Sequence, residues 1–225
     1  MRNAQYQVCV LAYITDRVLI RIPCSCARLH SAGLDSNSDV WTFTSWGRPF
    51  RLASPLLDKS SPDTTAVQVE SGWGYTSVLT ESGDVLVYWP GKGRMHEELH
   101  RVKAELDQQG DVTRAKLSSQ RSNVIPCHVW DLTTVNPVML PAIPHDLPHL
   151  NGTGLAASVL DSETKLVRIA GLDNNLIGLT NKGHVLKYDK LDDEDSYQRG
   201  RWEYVSSSSL GPFRHPTKHD LVASL

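Results

Sequence analysis

His96-Glu97-Glu98-Leu99-His100 is the string in this sequence whose spacing matches a catalytic motif. On a helix, histidines four residues apart share a face and can both ligate zinc, while the glutamate after the first polarises the attacking water. The neighbouring residues argue for a solvated helix face instead. Glu98 and Arg101 place charge where a zinc-peptidase helix is apolar, and no third ligand follows at a defined spacing, His128 and His145 being the histidines available. No metal or cofactor is therefore expected, and a zinc peptidase acting through His96, Glu97 and His100 stands as an alternative.

Other chemistry finds less support. Cys24-Ser25-Cys26 puts two thiols on one face of a strand, but no second Cys or His pair completes a zinc site, so buried small hydrophobes are the expectation. Four cysteines at irregular spacing make no disulfide framework and fit a reducing compartment. Gly72-Trp73-Gly74, Gly91-Lys92-Gly93 and Gly152-Thr153-Gly154 lack the Lys-Ser/Thr of a phosphate loop and read as turns. No Ser or Cys lies in a nucleophile elbow. The chain is expected not to be an enzyme.

The elements that would carry such residues fall into two kinds. Residues 93–110 have helical propensity, with Met95, Leu99, Val102 and Leu106 on one apolar stripe. The rest is built on a repeat. VQVESGWGYTSVLTESGDVLVYWP, from Val67 to Pro90, reads as three short strands with a tight turn at Glu81-Ser82-Gly83-Asp84, where Gly83 can take a positive φ. Shifted by 45 positions without a gap, Ile22, Cys26, His30, Leu34, Val40, Trp41 and Phe43 fall on Val67, Ser71, Tyr75, Leu79, Val85, Leu86 and Tyr88. Shifted by 100, Val167, Gly171, Asn175, Leu179, Gly183, Val185 and Tyr188 fall on the same pattern. A unit of this length holding several strands predicts propeller blades, because a lone meander leaves a face that only a neighbouring sheet can cover.

The fold class expected is all-β, a partial β-propeller of three to four blades of a seven-bladed type with a helical insertion. Its divisions are an irregular N-terminal segment at 1–21, blades at 22–92 and a charged helical insertion at 93–123. A proline-rich extended segment at 124–166, a blade at 167–205 and a disordered tail at 206–225 follow. Trp41, Trp46, Trp89, Trp130 and Trp202 are read as packing residues, and Trp202 to Val205 as the start of a further strand. The loops after each first strand, at 27–29, 72–74 and 172–174, should line one rim. Candidate partner contacts chosen from that rim are Arg28, His30, Trp73, Tyr75, Asp173 and Asn175.

Composition bounds the partners. The chain has 225 residues, 40% of them hydrophobic, which is enough for a core. A net charge of −2 with scattered basic residues points away from nucleic acid and from acidic membrane surfaces. The apolar run from Val8 to Ile14 is too short to span a bilayer and lacks a following cleavage site, and the sequon at Asn151-Gly152-Thr153 is expected to stay unused.

The repeat wording resembles the regulator-of-chromosome-condensation family. It lies in His30-Ser31 with Leu34, Val40-Trp41-Thr42-Phe43 and Trp46-Gly47; in Gly72, Tyr75, Leu79-Thr80, Gly83 and Tyr88-Trp89; and in Leu179-Thr180, Gly183 and Tyr188. HSAGLDSNSDVWTFTSWGRPFRL, VLTESGDVLVYWP, VIPCHVWDL and ETKLVRIAGLDNNLIGLTNKGHVLKY resemble, in order, the propeller portion of fungal F-box proteins of the SCF-associated-factor type. That resemblance implies a propeller that holds a protein substrate for ubiquitination, in the cytoplasm or nucleus. No leucine-rich F-box segment precedes Ile22, so a Skp1-type adaptor is expected only if an F-box lies outside this chain, which reads as a truncated ring. The wider family implies a second reading, nucleotide exchange on or regulation of a small GTPase.

Overall fold

The computed structural model describes residues 10–15, 18–27, 29–44, 49–108, 130–145, 147 and 160–205, those before residue 25 as backbone only. Fourteen strands lie among them: β1 Val10–Thr15, β2 Val18–Cys26, β3 Ser31–Leu34, β4 Val40–Phe43, β5 Pro49–Leu52, β6 Ala66–Ser71, β7 Thr76–Thr80, β8 Val85–Tyr88, β9 Trp130–Leu132, β10 Val138–Met139, β11 Leu166–Leu172, β12 Asn175–Thr180, β13 Val185–Tyr188 and β14 Trp202–Tyr204. One α-helix, α1 Gly93–Gln108, interrupts them.

These strands form three four-stranded antiparallel blades: β2-β3-β4-β5, β6-β7-β8-β10 and β11-β12-β13-β14. The repeat seen in the sequence is carried into the pairing register. Leu34 pairs Val40 and Ser31 pairs Phe43 in the first blade, Leu79 pairs Val85 and Thr76 pairs Tyr88 in the second, and Leu179 pairs Val185 and Leu176 pairs Tyr188 in the third. Even the irregularity of the first strand recurs, between Ala66 and Gln68 and again between Leu166 and Arg168. The architecture is a partial β-propeller of three blades.

The hairpin turns between second and third strands share one solution. Ser38, Gly83 and Gly183 stand at matching positions with φ of 62°, 98° and 83°, and each backbone N–H donates back three residues, to the carbonyls of Asp35, Thr80 and Thr180. Glycine meets that left-handed requirement without strain, whereas Ser38 meets it against its Cβ.

Adjacent blades pack face to face, and the middle blade is buried on both sides. Alternation along β7 and β8 sends Val78, Leu86 and Tyr88 toward Ala32, Val40 and Phe50 of the first blade. It sends Tyr75, Leu79, Val85 and Val87 toward Leu166, Ile169, Leu176 and Leu186 of the third. The third blade's opposite face carries Val185 exposed at 40%, where the matching Val85 is buried.

Three expectations are corrected. The segment 1–21 is not irregular throughout: β1 and the start of β2 form an antiparallel hairpin with Thr15 paired to Val18, which extends the first blade by a strand. The segment 124–166 is not simply extended chain. Its β10 is the fourth strand of the middle blade, pairing Met139 with Leu86, and its β9 runs parallel to β5 on the first blade's outer edge. The long insertion thus leaves the middle blade between its third and fourth strands, covers a neighbouring edge that would otherwise expose unpaired backbone, and returns. Cys26 is exposed rather than a buried hydrophobe, because the alternation of β2 turns Ser25 into the seam, where Ser71 N–H donates to its Oγ at 2.9 Å.

The helix sits as its stripe requires. Met95, Leu99 and Leu106 are buried and Val102 is partly so, and Met95 and Leu99 join the core between first and middle blades. Arg51 of β5 clasps Asp131 of β9 in a two-pronged ion pair, Nε to Oδ1 at 2.7 Å and a terminal nitrogen to Oδ2 at 2.6 Å.

Candidate rim interface

The loops after the first strand of each blade meet at one edge of the molecule. Trp73 N–H donates to Asp173 O at 2.7 Å, a Cβ on Gly72 would fall 2.6 Å from that same carbonyl, and a Cβ on Gly91 would fall 3.0 Å from a methyl of Leu29 and 3.5 Å from Gly74. These loops therefore touch from blade to blade. Asp173 adopts a φ of 44°, a left-handed turn that an aspartate tolerates better than most residues.

The candidate residues separate into two groups on this edge. His30, Tyr75 and Asn175 occupy matching positions; His30 and Tyr75 are buried in the seams, whereas Asn175 is partly exposed and joins the seam through its backbone carbonyl. His30 Nε2 lies 2.8 Å from Thr76 Oγ1, and the Tyr75 hydroxyl donates to the Asn175 carbonyl. Tyr75 is fully buried and its ring lies directly over Gly72, where a Cβ would clash with it at 1.9 Å. Burial pushes the Tyr75 phenol well above its ordinary range. Burial likewise lowers the His30 imidazole to about 4, against a smaller upward pull from its contact with the Tyr75 backbone, so it is neutral. Trp73 and Asp173 stand outward instead, with Trp73 44% exposed. Arg28 lies outside the described residues, as do Trp46, Cys127, His128 and the sequon at Asn151.

Two residues that sequence reasoning did not select join Trp73. Leu29 and Leu172 are exposed at 48% and 49%, and with Trp73 they form one apolar side chain per blade on the same edge. At the offsets of 45 and 100 these three residues fall on different loop positions, so the repeat pattern by itself does not mark them as a set. Trp41, Trp89 and Trp202 are buried, and Trp130 packs on Phe50 with ring centres 5.8 Å apart.

An acidic loop closes the outer side of this edge. Lys190 has a φ of 62°, Asn174 donates to Asp192 Oδ1 at 2.5 Å, and Arg94 at the start of α1 donates to Glu194 at 2.7 Å. Asp193 accepts from the Ser196 and Asp195 backbone N–H groups, which holds its carboxyl below the ordinary range. Trp89 Nε1 donates to Leu191 O at 3.2 Å and ties the loop to the middle blade.

The His-Glu-x-x-His string lies on the first two turns of α1. The His96 and His100 rings meet edge to face with centres 4.4 Å apart, and His96 Nδ1 is 3.2 Å from Pro90 O. Glu98 is turned away, bound by Arg101 and by Thr134, and the first of these holds its carboxyl down at about 2. Among the described residues no group of three or more His, Cys, Asp or Glu side chains is placed to hold a metal ion. No helix among them is long and apolar enough to cross a membrane.

No known protein-family profile matches the chain, and no curated protein matches it. Among solved structures it is similar to Prp20p of Saccharomyces cerevisiae, described with its binding to Gsp1p and histones, at 14% identity over 77% of this chain and 33% of that one, with a TM-score of 0.39. Yeast RCC1 (Prp20) bound to Kap60 is matched at 13% identity over 83% of this chain and 38% of that one, TM-score 0.40. Human WBSCR16 is matched at 15% identity over 91% and 61%, TM-score 0.34. The chain thus spans between a third and two fifths of the yeast chains and under two thirds of the human one.

Proposed function

We propose that this chain is a non-enzymatic protein-interaction module that holds its partner on the rim formed by the loops of Leu29, Trp73 and Leu172. The observation that carries this reading is an exposed large apolar side chain in the edge loop of each of the three blades, at differing loop positions. The seams spend their polar groups on each other, as in the bonds of His30, Tyr75 and Gln68, whereas the rim side chains face solvent. An exposed tryptophan flanked by aliphatic side chains is the kind of anchor that dominates protein interfaces. Asp173, beside Trp73, adds a polar edge to that contact.

The finer reading follows the resemblance stated for the sequence: a partner presented as a substrate to an SCF-type ubiquitin ligase, in the cytoplasm or nucleus. The Skp1-type adaptor would bind only through an F-box outside this chain. A photo-crosslinking amino acid placed at Trp73, and in a control at the exposed Glu163 at the opposite end of the strands, tests the rim. The reading expects a discrete protein adduct from position 73 and none from position 163. Equal labelling from both positions, or none from 73, would overturn it. Identification of the adduct as a ubiquitinated protein whose level rises when the ligase is blocked would support the finer reading, and a small GTPase in its place would replace it.

A further inference from the structure

We infer that His96 and His100 form a two-histidine chelate for a late first-row divalent cation, Cu2+ before Zn2+. The inference rests on α1 and is independent of the rim reading. Histidines at i and i+4 lie one above the other on a helix face, and here their rings are in contact, with centres 4.4 Å apart and planes at 61°. A metal 2.0–2.1 Å from each nitrogen needs the two nitrogens within roughly 4 Å of one another. Rings this close meet that requirement with side-chain rotation alone.

The immediate surroundings prepare the pair. His96 Nδ1 faces Pro90 O at 3.2 Å, and a proton held there leaves Nε2 as the lone-pair nitrogen, the arrangement in which a carbonyl behind an imidazole fixes the ring for a metal. Pro90 is itself buried at the end of the middle blade, so the carbonyl is a fixed support. His100 is exposed and His96 half-buried, which leaves the outer side open to solvent ligands. The neighbouring cations are engaged elsewhere, Arg94 with Glu194 and Arg101 with Glu98 and Glu105, so neither guanidinium is directed at the incoming ion.

With two protein ligands the remaining coordination positions go to water. Imidazole nitrogen in a tetragonal field favours Cu2+, and the order of stability places Zn2+ behind it. The ion would link the first and second turns of the helix beside the rim. This is a binding site with no hydrolytic role assigned to Glu97.

The test is calorimetric titration of the full chain with Cu2+ from a weak glycine complex, repeated with Zn2+, on the native sequence and on His96→Ala and His100→Ala. The expected result is one saturable site, tighter for Cu2+ than for Zn2+, weakened at least tenfold by either substitution. Electron paramagnetic resonance of the Cu2+ form should show coupling to two imidazole nitrogens, reduced to one in each variant. Since His100 is exposed, His100→Ala should keep its metal-free melting temperature, which separates loss of a ligand from loss of the fold. Equal affinity in all three proteins, or no saturable Cu2+ binding by the native chain, would overturn the inference.

Discussion

The side-chain amide of Gln68 pairs with the backbone of Ile169 as a neighbouring strand would, donating from Nε2 to the Ile169 carbonyl at 2.7 Å and accepting the Ile169 N–H on Oε1 at 3.0 Å. Two first strands, β6 and β11, are thereby stitched across a blade seam by one residue. Gln68→Ala leaves both backbone groups facing a partly buried seam, and each unmade bond costs about 1 kcal/mol. A loss of about 2 kcal/mol is expected by chemical denaturation. Amide exchange at Ile169 should accelerate more than at Leu176, which pairs with Tyr188 within its own sheet.

The same seam sets a steric limit at Gly171. A Cβ there would lie 2.4 Å from the Ser71 carbonyl oxygen and 2.9 Å from the Gly72 nitrogen, both backbone atoms that cannot turn aside. At Gly178 the nearest obstacle, at 2.6 Å, is the tip of Leu166, a side chain that can rotate. Gly171→Ala should therefore destabilise by about 2–3 kcal/mol and Gly178→Ala by clearly less, with melting temperatures in that order. The opposite order would mean that the blades can slide apart at the first strand.

His30 makes the seam between first and middle blades sensitive to acid. Its imidazole is held near 4 by burial, against an unfolded value near 6.5, so between those values the unfolded chain binds the extra proton. The stability that the neutral ring provides is complete above about pH 6.5 and declines as pH falls toward 4, by about 3 kcal/mol in all. Denaturation midpoints measured from pH 7 to pH 4 should show this slope. Replacing His30 with Phe should flatten it, leaving only the contribution of the carboxylates.

Ser38 does with strain what Gly83 and Gly183 do freely. Its φ of 62° in a hairpin turn otherwise built like theirs predicts that Ser38→Gly stabilises the chain by about 0.5–1 kcal/mol, a rise in melting temperature with the pairing of Leu34 and Val40 unchanged. The matched turns also show how much of the fold was legible. Ungapped offsets of 45 and 100 fixed three blades because every pairing in the second hairpin is copied at those offsets. The third blade's fourth strand was read at Trp202 to Val205, but the middle blade's was not: Val138–Met139 is two residues long and separated from β8 by the whole insertion, so no local periodicity marks it. The N-terminal hairpin was missed because Thr15-Asp16-Arg17-Val18 reads as an interruption of an apolar run, whereas Thr15 and Val18 are paired across two antiparallel strands. At the rim, position alone grouped Tyr75 with Trp73; burial separates them, because the Tyr75 ring, just before β7, folds back over Gly72 to reach Asn175 O while Trp73 stands outside.

Trp73 is where that separation can be tested on binding. Its side chain is 44% exposed, and its backbone N–H donates to Asp173 O of the third blade, a link that a change of side chain keeps. Removing the ring should leave the melting temperature within the range of an ordinary surface change, about 0.5 kcal/mol. A tryptophan anchor at the centre of an interface is worth about 2 kcal/mol or more, so Trp73→Ala should weaken the partner captured at this rim by roughly thirtyfold. Tyr75→Phe should do the reverse, costing about 1 kcal/mol of stability through the lost bond to Asn175 O while leaving that affinity unchanged. Affinity measured by surface plasmon resonance, beside melting curves of the same two proteins, decides it. If Tyr75→Phe weakens binding and Trp73→Ala does not, the partner reads the seam rather than the rim.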